Sequence, residues 1–540
     1  MTTKIFWRYF LLAWVIAGIP IFLLHGVPGV DTPNHVARLH VLASLHQNHA
    51  LWSFYRPHWA ILPNLAVDLF ITPIVYFCNV NALVMMKIFL FNSIGVTGAG
   101  FALTNRAINA KWSLWGLFGL LFSYSYVLGF GFINYLFGIG LALLFIGVQL
   151  SLKDRPKLRL FVIATGFPIL LLNHLLALVL GAMALIIIAI WQRDKCRFLW
   201  SGFALGSFFS LIYMKLSATV GLGGAHMFYD SMPEHLRNVF FPLYFSNLAR
   251  DLAFWLVIVG VVIWLVAKPR NSASKTLSQT DEKQSGVESS LDSLPDRRDA
   301  ERPNVARALL EKRSFQERGL ILWKPSLALT MLIVFTLVAL ALPHMAMTSA
   351  YISGRISIWA ILIAGAAVER LSLSPTLIFT LLFARSADIS QRFLTWNTTF
   401  DQLKRDLHVV EDGSLVYQMT SMQAHPLEPD GWNPSIIHAD CLLLLERNCY
   451  VNNLFSLPYQ QPLQNSPEIG FDMRDLYNRG GPDGIKLNLQ WIIWQIGMMS
   501  PRLQERSVYI FYVKGEQERP NPILGDVLFN RPRYTIYQLK

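Results

Sequence analysis

The chain has 540 residues, of which 53% are hydrophobic and only 15% charged, with 36 Phe and a mean hydropathy of +0.39. Such a composition excludes a soluble globular protein and points to a polytopic α-helical membrane protein. The net charge of +12 comes from 46 Lys plus Arg against 34 Asp plus Glu, and the basic residues cluster between apolar runs. That is the pattern of cytoplasmic loops under the positive-inside rule, not of a nucleic-acid partner.

Lys4 and Arg8 precede an apolar run over 10–24 that lacks a small-residue cleavage site, so a signal-anchor span leaving the cytoplasm is expected there. The next stretch, 26–59, is a polar island on the external side, and within it lies Gly29-Val30-Asp31-Thr32-Pro33-Asn34-His35-Val36-Ala37-Arg38. Thr32 as N-cap and Pro33 as first helical residue predict a short helix with His35, Arg38 and His46 on its polar positions. Asp31 then stands at the helix entrance, beside an imidazole and a guanidinium. This trio can take a proton from a hydroxyl and hold a phosphate; equally, Asp31 can simply cap the helix.

Residues 61–80, with Pro63, Asp68 and Pro73, read as an interfacial or re-entrant pair of short helices before a cleaner span at 82–103. Spans over 112–129 and 132–152 form a hairpin around Gly129-Phe130-Gly131-Phe132-Ile133-Asn134-Tyr135, followed by spans at 160–172, 175–191, 199–220 and 252–267. The loop between the last two carries His226, Tyr229 and Asp230, and its Phe240, Phe241, Tyr244 and Phe245 suggest a segment lying on the membrane surface. A polar insertion over 269–322 is expected to be a disordered cytoplasmic linker with a helix near 305–316. Short spans at 326–342, 358–368 and 375–383 bring the total to about eleven, with an external C-terminus. Residues 1–384 thus form a transmembrane domain, and 385–540 an extracytoplasmic α/β domain with strands at 414–419, 507–513 and 534–539 and helices at 399–407, 436–455 and 487–499. The four cysteines have no metal-ligand spacing, and Cys441 and Cys449 bridge only if their segment is looped rather than helical.

The first loop with its Gly29 to Arg38 motif, the Gly-Phe-Ile-Asn-Tyr-Leu-Phe-Gly turn ending at Gly138 and the external C-terminal domain resemble the GT-C superfamily of integral-membrane glycosyltransferases. That superfamily includes protein mannosyltransferases, the aminoarabinose transferase of lipid A and mycobacterial arabinosyltransferases. The first loop is most similar to that of a bacterial branch reading Asp-x-Pro-Asn-His-x-Ala-Arg. The resemblance implies a polyprenyl-phosphate-linked sugar as donor, a cell-envelope glycan, lipid or protein as acceptor, and Asp31 as catalytic base. It also implies residence in a plasma membrane, the bacterial inner membrane, with the N-terminus cytoplasmic. This chain departs from the commonest superfamily pattern in having no Asp-Asp or Glu-x-Asp pair; Asp68 and Asp230 are the available second carboxylates.

A lipid-phosphate leaving group needs a base and positive charge more than an acid. Asp31 as base implies inversion at the anomeric carbon. Arg355 and Arg38 are candidates to hold the phosphate, although Arg355 also fits an arginine snorkelling to headgroups and Arg38 a solvated helix face. His35 either orients Asp31, contacts the sugar or, with Asp31 and His40 or His46, binds a metal; the chemistry requires no cofactor, and a divalent metal is the weaker alternative. Asn134 and Tyr135 line a lipid-sugar cavity or belong to a turn built for close helix packing, and His174 is a pocket residue at a span end. Asn397-Thr398-Thr399 matches a glycosylation sequon. Two other classes remain: a non-catalytic scaffold for envelope-glycan assembly, and a transporter or flippase, against which the absence of internal repeats counts.

Overall fold

The structure is a computed structural model of the full chain. It describes every residue except 218–226, 229–230, 242, 244, 246, 268–325, 344, 347–350, 369–372, 422–433, 457–460, 470–475, 479–481, 516–517 and 540. The insertion expected at 269–322, its helix at 305–316, and His226, Tyr229 and Asp230 all lie outside the described residues. The chain divides into two compact units, 1–255 with 327–540, and 256–326. The first holds both the helical bundle and the C-terminal sheet.

Among the described residues six helices are long and apolar enough to cross a bilayer: Thr3–Leu23, Ala82–Asn109, Ile133–Ser151, Pro156–Asn173, Arg197–Leu216 and Leu248–Leu265. Shorter apolar helices at Leu175–Trp191, Leu327–Ala341 and Ile352–Ala367 accompany them, and the chain is an integral membrane protein. Ala82–Asn109 and Ile133–Ser151 meet backbone to backbone: a methyl on Gly100 would lie 2.6 Å from the Gly140 carbonyl, and one on Gly147 2.7 Å from the Thr104 nitrogen. Thr104 Oγ1 donates to the Leu143 carbonyl at 2.6 Å across the same seam, the small-residue packing that lipid-embedded helices use.

Several elements differ from the sequence expectation. The span read at 112–129 is a 3₁₀ segment, Leu114–Phe122, buried from Trp115 on, followed by one buried α-turn, Tyr126–Gly129. Surrounding helices replace lipid there, so a regular spanning helix is not required to satisfy the backbone. The pair of short helices read at 61–80 is one helix, Ala66–Cys78, of 13 residues, well short of the ~30 Å hydrocarbon thickness at about 1.5 Å per residue. Phe245 is not on a surface segment; it is buried and stacks on Trp396 at 6.0 Å. The final span does not stop at 383: one helix runs unbroken from Pro375 to Leu407, through Arg385, where the sequence reading starts its second domain.

That helix leads into a mixed six-stranded sheet. Leu415–Ser421 pairs in parallel with Tyr450–Val451, Leu476–Asn478 and Val508–Val513, and the sheet continues antiparallel through Tyr534–Leu539 to Asp526–Asn530. The strands expected at 414–419, 507–513 and 534–539 are all in it. The helix expected at 436–455 is instead a 3₁₀ segment, Pro434–Leu445, followed by the strand Tyr450–Val451, and the cysteines at 441 and 449 are buried free thiols. One hydrophobic core joins the sheet to the bundle: Leu415, Tyr417, Ile510 and Tyr512 share it with Val30, Ala37, Val41, Tyr126 and Phe130.

Candidate functional site

Two loops singled out in the sequence meet. The amides of Val30 and Asp31 donate to the carbonyls of Gly129 and Phe130, each at 3.1 Å. Gly29 (φ +99°) and Gly131 (φ +77°) face each other at this junction. A Cβ on Gly29 would lie 2.8 Å from the Gly131 backbone, and one on Gly131 would lie 2.7 Å from the Asp31 and Thr32 nitrogens. Both residues need the left-handed region and both need to be without a side chain. The glycine-rich turn is therefore what fixes Asp31 in place.

The helix after this junction is Thr32–Ser44. Asp31 occupies its N-cap position, but its side chain makes no capping bond and its backbone is helical (φ −83°, ψ −10°). Thr32 is inside the helix and its hydroxyl has no partner among the described residues, so the cap expected there is absent. The Asp31 carboxylate, 23% exposed, is thus free for another purpose, and the His438 imidazole approaches it, with Nε2 3.5 Å from Oδ1.

The rest of the helix is not a solvated face. Arg38 is fully buried, and its guanidinium clasps Asp68 through two bonds of 2.9 Å while reaching Gln461 at 2.7 Å. Its charge is paired with that of Asp68, so these two candidates, the arginine for the phosphate and the second carboxylate, are bound to each other. His35, also buried, lies 3.0 Å from Arg38 through Nδ1 and edge-on to Phe455. Burial first, then the charge of Arg38, holds its pKa well below the usual imidazole value, so it is a neutral ring. His40 is half-buried beside Ser44, and His46 is exposed against Tyr76. Among the described residues no group of three or more His, Cys, Asp or Glu side chains is arranged to hold a metal ion.

Arg355, in the helix Ile352–Ala367, is the contrasting arginine. It is 6% exposed, and among the described residues no carboxylate pairs with it. Its guanidinium lies 3.6 Å from the centre of the Phe132 ring and 5.9 Å from that of Tyr135, while its Nε has no hydrogen-bond partner. Its Nη1 approaches His174 Nε2 at 3.1 Å, but His174 Nδ1 already accepts from the Leu176 amide at 3.1 Å. A neutral imidazole has one lone pair, so the two contacts compete and Arg355 is left short of an acceptor. Asp31 is close enough to act on it electrostatically. Tyr135 donates to the Arg355 carbonyl at 2.7 Å and so positions the arginine's backbone. Asn134 donates to the Asn64 carbonyl at 3.1 Å, while its own Oδ1 and that of Asn173 are buried without partners among the described residues. The structure thus gathers Asp31, Arg355, His174 and Tyr135 with the turn, puts Asn134 on the same turn, and sets Arg38 apart in an ion pair.

Sequence reasoning missed the contribution of the C-terminal region. Asn34 donates to the Asn453 carbonyl at 2.5 Å and accepts from the Phe455 amide at 2.6 Å, which docks the 452–455 turn on the helix behind Asp31. No local pattern marks these residues, but Asp68 inside an apolar run did signal a buried cationic partner. Asn397, the sequon residue, is buried in mid-helix between the Leu23 carbonyl and the His25 amide, where no glycan fits.

No protein-family model and no curated protein matches the chain. Among solved structures it is similar to ArnT from Cupriavidus metallidurans bound to undecaprenyl phosphate, at 8% identity over 100% of this chain and 98% of that one, with a TM-score of 0.39. It is likewise similar to the apo state of the same protein, at 10% identity over 99% and 98%, with a TM-score of 0.40.

Proposed function

We propose that the chain is an integral-membrane glycosyltransferase that moves one sugar from a polyprenyl-phosphate donor to a cell-envelope glycan, lipid or protein acceptor. The observation that carries this reading is a carboxylate that makes no capping bond, Asp31, within electrostatic reach of a buried guanidinium, Arg355, that no carboxylate ion-pairs among the described residues. Asp31 takes the proton of the acceptor hydroxyl as that oxygen bonds to the anomeric carbon. The bond from the anomeric carbon to the phosphate oxygen breaks, the electron pair leaves with the polyprenyl phosphate, and Arg355 neutralises the charge. Attack opposite the leaving group gives inversion. Tyr135 holds the Arg355 backbone, His174 lies beside the guanidinium, and the carbonyl oxygen of Asn134, without a partner among the described residues, suits a sugar hydroxyl.

Sidedness supports the same reading. Asp31 touches His438 of the C-terminal region, so base and sheet lie on one face of the membrane. On the positive-inside pattern of the basic loops that face is read as the external one, which fits an acceptor in the cell envelope.

The test is sugar transfer by purified protein in nanodiscs, from a panel of polyprenyl-phosphate sugars to envelope lipids and glycans. Asp31→Asn is expected to lower kcat by at least ~100-fold, the scale of a lost general base, without unfolding the protein. Transfer that survives undiminished in Asp31→Asn would remove Asp31 as the base, and none from the wild type with any donor would leave the chain a scaffold or a lipid transporter.

A further inference from the structure

We infer that His438, carried by the C-terminal α/β region, is a positioning residue for Asp31, so that the reacting centre is assembled from both ends of the chain; this rests on reading Asp31 as the base. His438 sits at a break in the 3₁₀ segment Pro434–Leu445, with φ −117° and ψ 23°, the sparsely populated bridge region. The break turns its ring toward Asp31 Oδ1, 3.5 Å from Nε2.

The ring's tautomer follows from its other side. The amide Nδ2 of Asn453 lies 2.7 Å from His438 Nδ1, and an amide nitrogen can only donate. Nδ1 is therefore the acceptor, the ring hydrogen is on Nε2, and it points at Asp31. Asn453 is held in turn by the two bonds between Asn34 and the 453–455 backbone, and Phe455 meets both His35 and His438 edge-on.

With one nitrogen occupied by Asn453 and the other presenting its hydrogen to Asp31, the neutral ring has no lone pair for an acceptor proton. His438 is thereby excluded as the base. What it supplies is a fixed donor to one carboxylate oxygen, which leaves the second oxygen directed at the acceptor. Among the described residues, the charged and titratable neighbours of this pair include His35 and Arg38 on the helix behind Asp31, Arg355 across the turn and Asp440 two residues further along the 3₁₀ segment.

Transfer kinetics of His438→Ala and His438→Gln test this. His438→Ala is expected to lose about 100-fold in kcat, the scale of a misplaced catalytic group, with donor KM within about twofold of wild type. His438→Gln returns an amide N–H near the place of Nε2 and is expected to recover most of the rate. Unchanged kcat in His438→Ala, or a glutamine variant as impaired as the alanine one, would overturn the inference. If the wild type transfers no sugar, it is the transferase reading that fails. The contact is then judged by thermal unfolding of Asp31→Ala, His438→Ala and the double variant: non-additive shifts in Tm uphold the pairing, and additive shifts remove it.

Discussion

Two arginines with nearly equal burial behave oppositely because of one neighbour. Arg38 has Asp68 in bidentate contact; Arg355 has aromatic faces and a histidine whose one lone pair the Leu176 amide contests. Arg355→Lys keeps the charge but loses the planar fork that spans ring and phosphate. It is expected to raise donor KM and lower kcat together by roughly 10- to 100-fold, whereas a merely snorkelling arginine would tolerate lysine with rates unchanged. Asp440 offers a prediction in pH. Burial, only partly opposed by the approach of its own and the Cys441 amides, pushes its carboxyl up to about 7, and neither oxygen has a hydrogen bond of ordinary geometry. Between the unfolded value of ~3.9 and about 7 the native state holds a proton that the unfolded state has released. Stability therefore falls as pH rises through that window, and the whole penalty, on the order of 4 kcal/mol, is present above it. Asp440→Asn is expected to melt higher than wild type at pH 8, with the gap closing below about pH 4. Equal melting at pH 8 would sink the assignment.

At the level of elements, the helix Thr32–Ser44 separates what the sequence discloses from what it cannot. Its existence and its Pro33 start were legible from the local pattern; its surroundings were not. Polar residues at helical spacing read as a solvent face, yet Asn34 and Arg38 are buried because their partners, Asn453, Phe455 and Gln461, arrive from more than 400 positions away. Asp68→Asn strands the Arg38 guanidinium in the interior and is expected to cost about 3–5 kcal/mol, whereas Arg38→Met with Asp68→Leu removes both charges and is expected to recover most of it. Thermal melts of the three proteins decide this, and a double variant no better than Asp68→Asn would contradict it. The 112–129 and 436–455 segments failed for a related reason. Runs of helical length read as helices, but segments enclosed by protein can satisfy their backbone in a 3₁₀ form or a strand as readily.

For the molecule as a whole, hydropathy disclosed the bundle and β-rich runs disclosed the three long strands, because each rests on interactions within a short window. The joining of the two could not be read in this way. The core that runs from the sheet through Tyr126 and Phe130 to Val30 and Ala37 makes the C-terminal region part of the same cooperative structure as the entry loop. The polar rivet in that joint is Asn34, with its amide on the Asn453 carbonyl and its oxygen on the Phe455 amide. Asn34→Leu keeps the volume but strands both backbone groups, at ~1–3 kcal/mol each. Hydrogen exchange then distinguishes a joint from a mere contact. In the variant, residues 32–44 and 450–456 are expected to lose protection together, while the central strands Leu415–Ser421 and Val508–Val513 keep theirs, since their pairing does not involve Asn34. Transfer should fall in step with this opening, because the same turn carries Asn453 and through it orients His438 on Asp31. If only residues 32–44 lost protection, the two halves would be neighbours in contact, and the base would owe its position to the bundle alone.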